Sequence, residues 1–229
     1  ETKPQSSSPN PPFRTSTLQM TASSFLSFTA DRTMRAAQNL YEAGLITYLR
    51  TDGINISTSP NTGEPFSEEN PGPPPLQEIR NVIVEKFGDK FLSDQVRVYK
   101  SKVKNSQEAH EAIRPTNIKT YPENVNLGQD EQKLYTLIWN RTLSSQMSNS
   151  QHERKKIIVC SKEDKFVFNA SSRKTLFEGF ETLSKKDSSE IIEFPENLKE
   201  NENVSLAEFI SEQKFTSPPN RYSEASLIK

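Results

Sequence analysis

Apolar side chains recur at helical spacing in three stretches of this chain and at strand spacing in its last third. Ala30, Met34, Ala37 and Tyr41 lie three or four apart, with Asp31 placed to cap the start and Gly44 placed to stop the helix. Leu76, Ile79, Ile83 and Phe87 mark a second amphipathic helix, closed by Gly88. The strongest helix covers 130–147, where Leu134, Tyr135, Leu137, Ile138, Trp139 and Leu143 leave it apolar on most sides, as a central helix is. A short helix is expected over 105–115, with Asn105 and Glu108 as a capping box and Pro115 forcing the exit. Residues 13–28 mix serine and threonine with phenylalanine and leucine and match neither period.

The pattern changes near Ser148. Stretches 156–160, 165–170, 175–180, 191–194 and 204–213 read as strands split by polar turns, and KIIVCS with KFVFNA around Glu163-Asp164 is the clearest hairpin. The fold class is therefore α+β, a mostly helical unit followed by antiparallel strands. Between them, 60–75 is a proline-rich acidic loop, read as an insertion with no assigned role.

Composition narrows the class. Apolar content of 32%, with 15 prolines against 7 glycines in 229 residues, points to long rigid connections. A formal net charge of -1 means that any nucleic-acid surface must be local. Cys160 is the lone cysteine, which forbids an internal disulfide and any zinc site built on cysteine pairs. No apolar run approaches the roughly 20 residues of a membrane span, and no charged-then-apolar leader opens the chain. These features read as cytoplasmic. An opening without methionine, and a close on a helix-like SEASLIK with no stop signal, read as a piece of something larger.

The most informative chemistry lies in GLITYLRTDG, residues 44–53. Side chains at i and i+2 of an extended run point the same way, so Tyr48 and Arg50 present a phenol and a permanent cation to one ligand. A phosphodiester suits that pair. On residue type alone Tyr48 is an ordinary strand tyrosine, and Arg50 a surface cation beside Asp52. His110 and Arg114, four apart, share a helix face that reads equally as a solvated polar surface next to Glu111.

Four motifs, in order and spanning nearly the whole chain, resemble those of type IA DNA topoisomerases, in wording nearest the bacterial topoisomerase I branch. PFRTSTLQ (12–19) is similar to the opening of the family's active-site domain, and LYEAGLITYLRTD (40–52) to its nucleophile segment. NSQEAHEAIRPT (105–116) is similar to the next signature, and PPNRYSEASL (218–227) to the entry of the domain that follows. The loop over 60–75 departs from the pattern by its length.

The resemblance implies that Tyr48 attacks a backbone phosphorus of single-stranded DNA, forming a 5′-phosphotyrosine link and releasing a 3′-hydroxyl. The intact enzyme would pass a strand through the gap and relax negative supercoils without ATP. A phenol with an ordinary pKa near 10 is a weak nucleophile, and a close guanidinium, here Arg50, favours its ionised form and the charge growing on phosphorus. The resemblance also places His110 beside the DNA, gives Arg114 either a DNA contact or the role of orienting the Glu108/Glu111 face, and makes Asp52 the partner that aims Arg50. It implies an active-site tyrosine domain at 12–149 and a β-rich arch made from 1–11 and 150–217. The next domain would begin at 218–229. The family's acidic Mg²⁺ site and lysine sit on a separate TOPRIM domain. No comparable Asp-x-Asp pair exists here, so this piece is expected to hold no metal, to work as a monomer with those other domains, and to relax no DNA alone. The rivals are a non-catalytic single-strand-binding module, with Tyr48 stacking on bases and Arg50 anchoring a phosphate, and a purely structural arm.

Overall fold

The computed structural model describes residues 1–57, 74–100, 111–163, 165–184, 194, 198–205, 207–208, 210–219, 221–222 and 224–227. Among them run β1 (Thr2–Ser7), α1 (Thr15–Leu26), α2 (Ala30–Glu42), α3 (Pro75–Phe87), α4 (Gln129–Ser144), β2 (Ser150–Cys160), β3 (Val167–Phe177) and a single turn, α5 (Glu224–Leu227). The fold is α+β: a helical unit joined to a three-stranded antiparallel sheet of order β1-β2-β3.

Helix α1 occupies the stretch that matched neither period. It buries only Leu18 and Ala22, four residues apart, so its apolar stripe is too narrow to register in the sequence. Thr17 accepts the Arg14 N–H at 3.0 Å, and Ser27 ends the helix in the left-handed region at φ 56°. Helix α2 is capped by Thr29, which accepts the Arg32 N–H at 3.2 Å; Asp31 lies inside the first turn, where its charge suits the helix N-terminus. Arg32 grips Asp130 at the start of α4 through two bonds of 2.6 and 2.7 Å, and Asn39 donates to Glu131 at 2.7 Å. Those contacts join α2 to α4.

Helix α4 is the central one. It buries Leu134, Tyr135, Ile138, Trp139, Thr142 and Leu143. Its two large polar aromatics find partners, Tyr135 O–H donating to the Thr120 carbonyl at 2.8 Å and Trp139 Nε1 to that of Ile118 at 2.9 Å. Burial pushes the Tyr135 phenol up to about 12. Phe13, Leu40, Ile46, Leu49, Ile83 and Ile113 complete the same core, so the segments around both ends of the 44–53 stretch are anchored in it.

Besides the cap of α2, which is Thr29 rather than Asp31, three expectations are corrected. Residues 111–115 are extended, pairing Phe13 with Ile113 and Ile46 with Pro115, because the Ala112 and Ile113 N–H groups bond to Asn55 and Phe13 carbonyls rather than along a helix. The strand expected at 175–180 is instead the end of β3 followed by a 3₁₀ turn over Gly179–Leu183. The described residues of 204–213 form no regular strand. The loop 60–73 and the proposed cap at Asn105 and Glu108 lie outside the described residues.

The sheet shows how the two units are connected. β1 precedes the helices and β2 follows them, yet they pair antiparallel from Thr2↔Lys155 to Ser7↔Ser150. The helical unit is thus an insertion between two adjacent strands. At the root of the sheet, His152 is 1% exposed, with Nδ1 3.2 Å from the Thr175 hydroxyl and Nε2 3.0 Å from Ser150 Oγ. Arg173 donates to Nε2 at 2.6 Å and also meets Glu181 at 3.3 Å. Glu181 belongs to the 3₁₀ turn, so this polar cluster ties β2 and β3 to the segment that packs Phe180 and Leu183 on the helical core.

Gly179 makes that approach possible. Its φ is +51°, and a Cβ there would lie 2.7 Å from the Ser148 carbonyl oxygen and 2.6 Å from the Asn149 carbonyl carbon. Gly179→Ala is expected to lower stability by about 2–4 kcal/mol, from left-handed strain plus backbone collision. Urea titration of the chain measures it; a loss below about 0.5 kcal/mol would contradict the close packing at this joint.

Candidate nucleophile and anion-binding site

Segment 44–51 leaves α2 at Gly44, whose φ of +71° lets the chain reverse at the helix end. From there Ile46 and Leu49, three residues apart, enter the core, while Tyr48, at 53% exposure, and Arg50 face solvent. Both groups are exposed, but the segment is a run of bends in which buried Ile46 stands two residues before exposed Tyr48, so a regular strand is not what sets their exposure. The Tyr48 ring meets Tyr41 of α2 edge-on, with centroids 5.5 Å apart. Among the described residues, Arg50 has no hydrogen-bond or ion-pair partner. It lines an open depression of about 360 Å³ with Arg14, Thr15, Ser16, Thr51 and Asp52. Asp52 therefore stands beside Arg50.

Backbone bonds on both sides hold this segment. Toward 111–116, Thr47 N–H donates to the Arg114 carbonyl at 2.9 Å, and its hydroxyl donates to the Ala112 carbonyl at 2.8 Å. The Arg114 N–H returns to the Thr47 hydroxyl at 3.0 Å, and Thr116 N–H reaches the Leu45 carbonyl at 3.0 Å. Toward α1, the Thr15 N–H donates to the Thr51 carbonyl at 3.0 Å, and the Thr51 N–H donates to the Thr15 hydroxyl at 2.8 Å. Thr51 Oγ donates to the Glu111 carbonyl at 2.8 Å. Three separate sequence motifs, around 13–15, 45–51 and 111–116, therefore meet at one place.

Arg114 does not face outward. It is 3% exposed; its guanidinium meets Glu111 at 2.7 Å and donates to the Pro115 carbonyl at 2.8 Å. A direct DNA contact does not fit this placement, since a desolvated cation with those partners is a brace for the 111–116 segment. Its alternative role, orienting Glu111, matches the geometry: Glu111 also accepts the Ser57 N–H at 2.9 Å. Arg114→Ala should therefore destabilise the chain by about 3 kcal/mol through an uncompensated, partly buried Glu111. Urea titration checks this, and an unchanged midpoint with weakened DNA binding would restore the surface role. His110 lies outside the described residues.

Arg14, Thr15 and Thr47 carried no role in the sequence. Arg14 and Thr15 stand in PFRTSTLQ, and Thr47 directly precedes the tyrosine; their proximity follows only from the fold. Among the described residues no group of three or more His, Cys, Asp or Glu side chains is arranged to hold a metal ion. No described helix is long and apolar enough to cross a membrane.

The chain matches a family model described as DNA topoisomerase over residues 1–229. It is 41% identical over 244 residues to the DNA topoisomerase 1 of Rickettsia bellii (strain RML369-C), covering 100% of this chain and 28% of that protein. It is 43% identical over 230 residues to the DNA topoisomerase 1 of Helicobacter pylori (strain ATCC 700392 / 26695), covering 96% and 28%. The full-length topoisomerase I of Thermotoga maritima, in a monoclinic crystal form, superposes with a TM-score of 0.67 at 35% identity, over 85% of this chain and 30% of that one. The chain thus spans under a third of the length of these relatives.

Proposed function

The chain belongs to the type IA DNA topoisomerases, in the bacterial topoisomerase I branch, and from that premise we propose that it supplies the nucleophile of a DNA-cleaving transesterification. The observation that carries the reading is the pair of exposed side chains Tyr48 and Arg50 on either side of buried Leu49, in a segment pinned from both sides by the family's other motifs.

In this reading the Tyr48 oxygen attacks a phosphorus of single-stranded DNA. The bond from phosphorus to the 3′ oxygen breaks, that oxygen leaves as a 3′-hydroxyl after taking a proton, and a 5′-phosphotyrosine remains. Arg50 binds the non-bridging oxygens, whose negative charge grows in the transition state, and a guanidinium can reach two at once. Asp52 aims Arg50. One phosphodiester replaces another, so resealing needs no outside energy. Between the two steps the other strand passes, which relaxes negative supercoils in the whole enzyme. His110 contacts DNA near the cleavage point. Mg²⁺, if held by the parent enzyme's remaining polypeptide, acts from outside this chain, and the chain alone relaxes no DNA.

The test uses the full-length enzyme with Mg²⁺ and single-stranded DNA labelled at either end. A 3′-end label is expected to travel with the protein, while a 5′-end label is released on a shorter strand. Label captured from the 5′ end instead, or no covalent capture, would overturn the proposal.

A further inference from the structure

We propose that Thr15 is a positioning residue for Arg50, an inference that rests on the function proposed for the 48–50 segment. Thr15 is the first residue of α1, yet its side chain bonds to the nucleophile segment and not to its own helix. Its hydroxyl lies 2.7 Å from the Leu49 carbonyl and 3.1 Å from the Thr51 carbonyl, so one proton serves two acceptors. The same oxygen accepts the Thr51 N–H at 2.8 Å, and the Thr15 N–H donates to the Thr51 carbonyl at 3.0 Å.

These bonds bracket Arg50. The two carbonyls and the N–H held by Thr15 belong to the residues immediately before and after it, and both Leu49 and Arg50 are bends. A bend has no ladder to fix its backbone, so its direction depends on whatever satisfies its polar groups. Here one hydroxyl does so on the α1 side. Leu49 adds a buried anchor, which fixes the segment's depth, but an apolar contact does not set the direction of the neighbouring Cα–Cβ bonds. Thr47 holds the other end to 112–114 and lies on the far side of Tyr48 from the bend. Thr51 Oγ holds the residue after Arg50 to Glu111 on the opposite side, so Thr15 is the α1-side group whose loss turns Arg50 without removing it. The threonine in PFRTSTLQ thereby couples the start of α1 to the cation two residues beyond the phenol.

The experiment uses the full-length enzyme and compares Thr15→Val, which keeps shape and loses the hydroxyl, with Thr15→Ser, which keeps the hydroxyl. Single-turnover formation of the covalent adduct on saturating single-stranded DNA should slow about 10- to 100-fold in Thr15→Val, since a displacement near 1 Å is enough for such a loss. DNA affinity, read in a Tyr48→Phe background where cleavage cannot intervene, should change less than about 2-fold. Thr15→Ser should recover to within about 3-fold of the parent. In an Arg50→Ala background, Thr15→Val should slow the reaction less than about 3-fold further, because the group it aims is gone. If Thr15→Val does not fold, Thr15→Ala carries the same comparisons.

Normal Tyr48-dependent adduct formation in Thr15→Val, a serine variant no better than valine, or losses that multiply in the double variant would each overturn this inference and leave the role of Tyr48 standing. No adduct in the parent enzyme, or an adduct that survives Tyr48→Phe, would overturn the functional reading and this inference with it.

Discussion

Tyr48→Phe is expected to remove covalent DNA capture from the full-length enzyme, a loss of at least about 10⁴-fold, because it deletes the attacking oxygen and little else. The ring keeps its edge contact with Tyr41 at 5.5 Å, and Leu49 keeps the segment in the core. Among the described residues the Tyr48 hydroxyl makes no hydrogen bond, so folding stability should stay within about 0.5 kcal/mol. Affinity for single-stranded DNA should also persist. That combination separates nucleophile from stacking platform only when paired with Tyr48→Ala. A platform loses about 1–3 kcal/mol of binding per stacked base on truncation to alanine and nothing on replacement by phenylalanine. A nucleophile loses the adduct in both. Adduct formation in Tyr48→Phe, measured by retention of 3′-labelled DNA on denatured protein, would contradict the assignment.

Arg50→Ala should slow adduct formation about 10²- to 10³-fold, the range seen when one donor to a developing negative charge is removed. Resealing passes through the same transition state and should slow by a similar factor. An exposed, solvent-screened guanidinium contributes a modest share of binding, so affinity should fall by less than about 10-fold. Arg50→Lys keeps the charge but not the planar fork and should recover only part of the rate. Rapid-quench single-turnover kinetics of cleavage, with affinity measured separately, gives both quantities. Equal losses in rate and affinity would make Arg50 a simple anchor.

The sequence showed some of this architecture clearly and some not at all, for physical reasons. Helices α3 and α4 were legible because each buries a broad apolar face, and Gly44 and Gly88 mark real ends with φ of +71° and +91°. Helix α2 lies where expected, but it buries Thr33, Ala36, Ala37 and Leu40, so of its expected stripe only Ala37 is buried and Tyr41 is 40% exposed. Helix α1 was hidden because two buried residues make too thin a stripe. The 111–115 segment was misread because its capping and exit signals are local, whereas its hydrogen bonds go to Phe13 and Asn55, far away in the chain. Long-range partners are invisible to periodicity. Tyr48 and Arg50 are both exposed, but on a run of bends anchored by Ile46 and Leu49 rather than on the extended strand that the sequence suggested. Arg114 shows the limit: an arginine beside histidine and glutamate suggests a wet surface, and only the fold reveals it buried on Glu111. The threonines that hold the site were equally silent, since Thr15 and Thr51 are remote in sequence and meet only where the start of α1 crosses the end of the 44–51 segment.

Peptide mapping of the trapped adduct tests the central claim most directly. Denatured full-length enzyme carrying cleaved DNA is digested with nuclease and protease, and the residual nucleotide is located by fragmentation mass spectrometry. Tyr41 is the built-in control, since its ring lies 5.5 Å from that of Tyr48 and is 40% exposed. A 5′-linked nucleotide on Tyr48, with Tyr41 unmodified, is the result expected; the same mass on Tyr41 or on any other side chain would contradict the account.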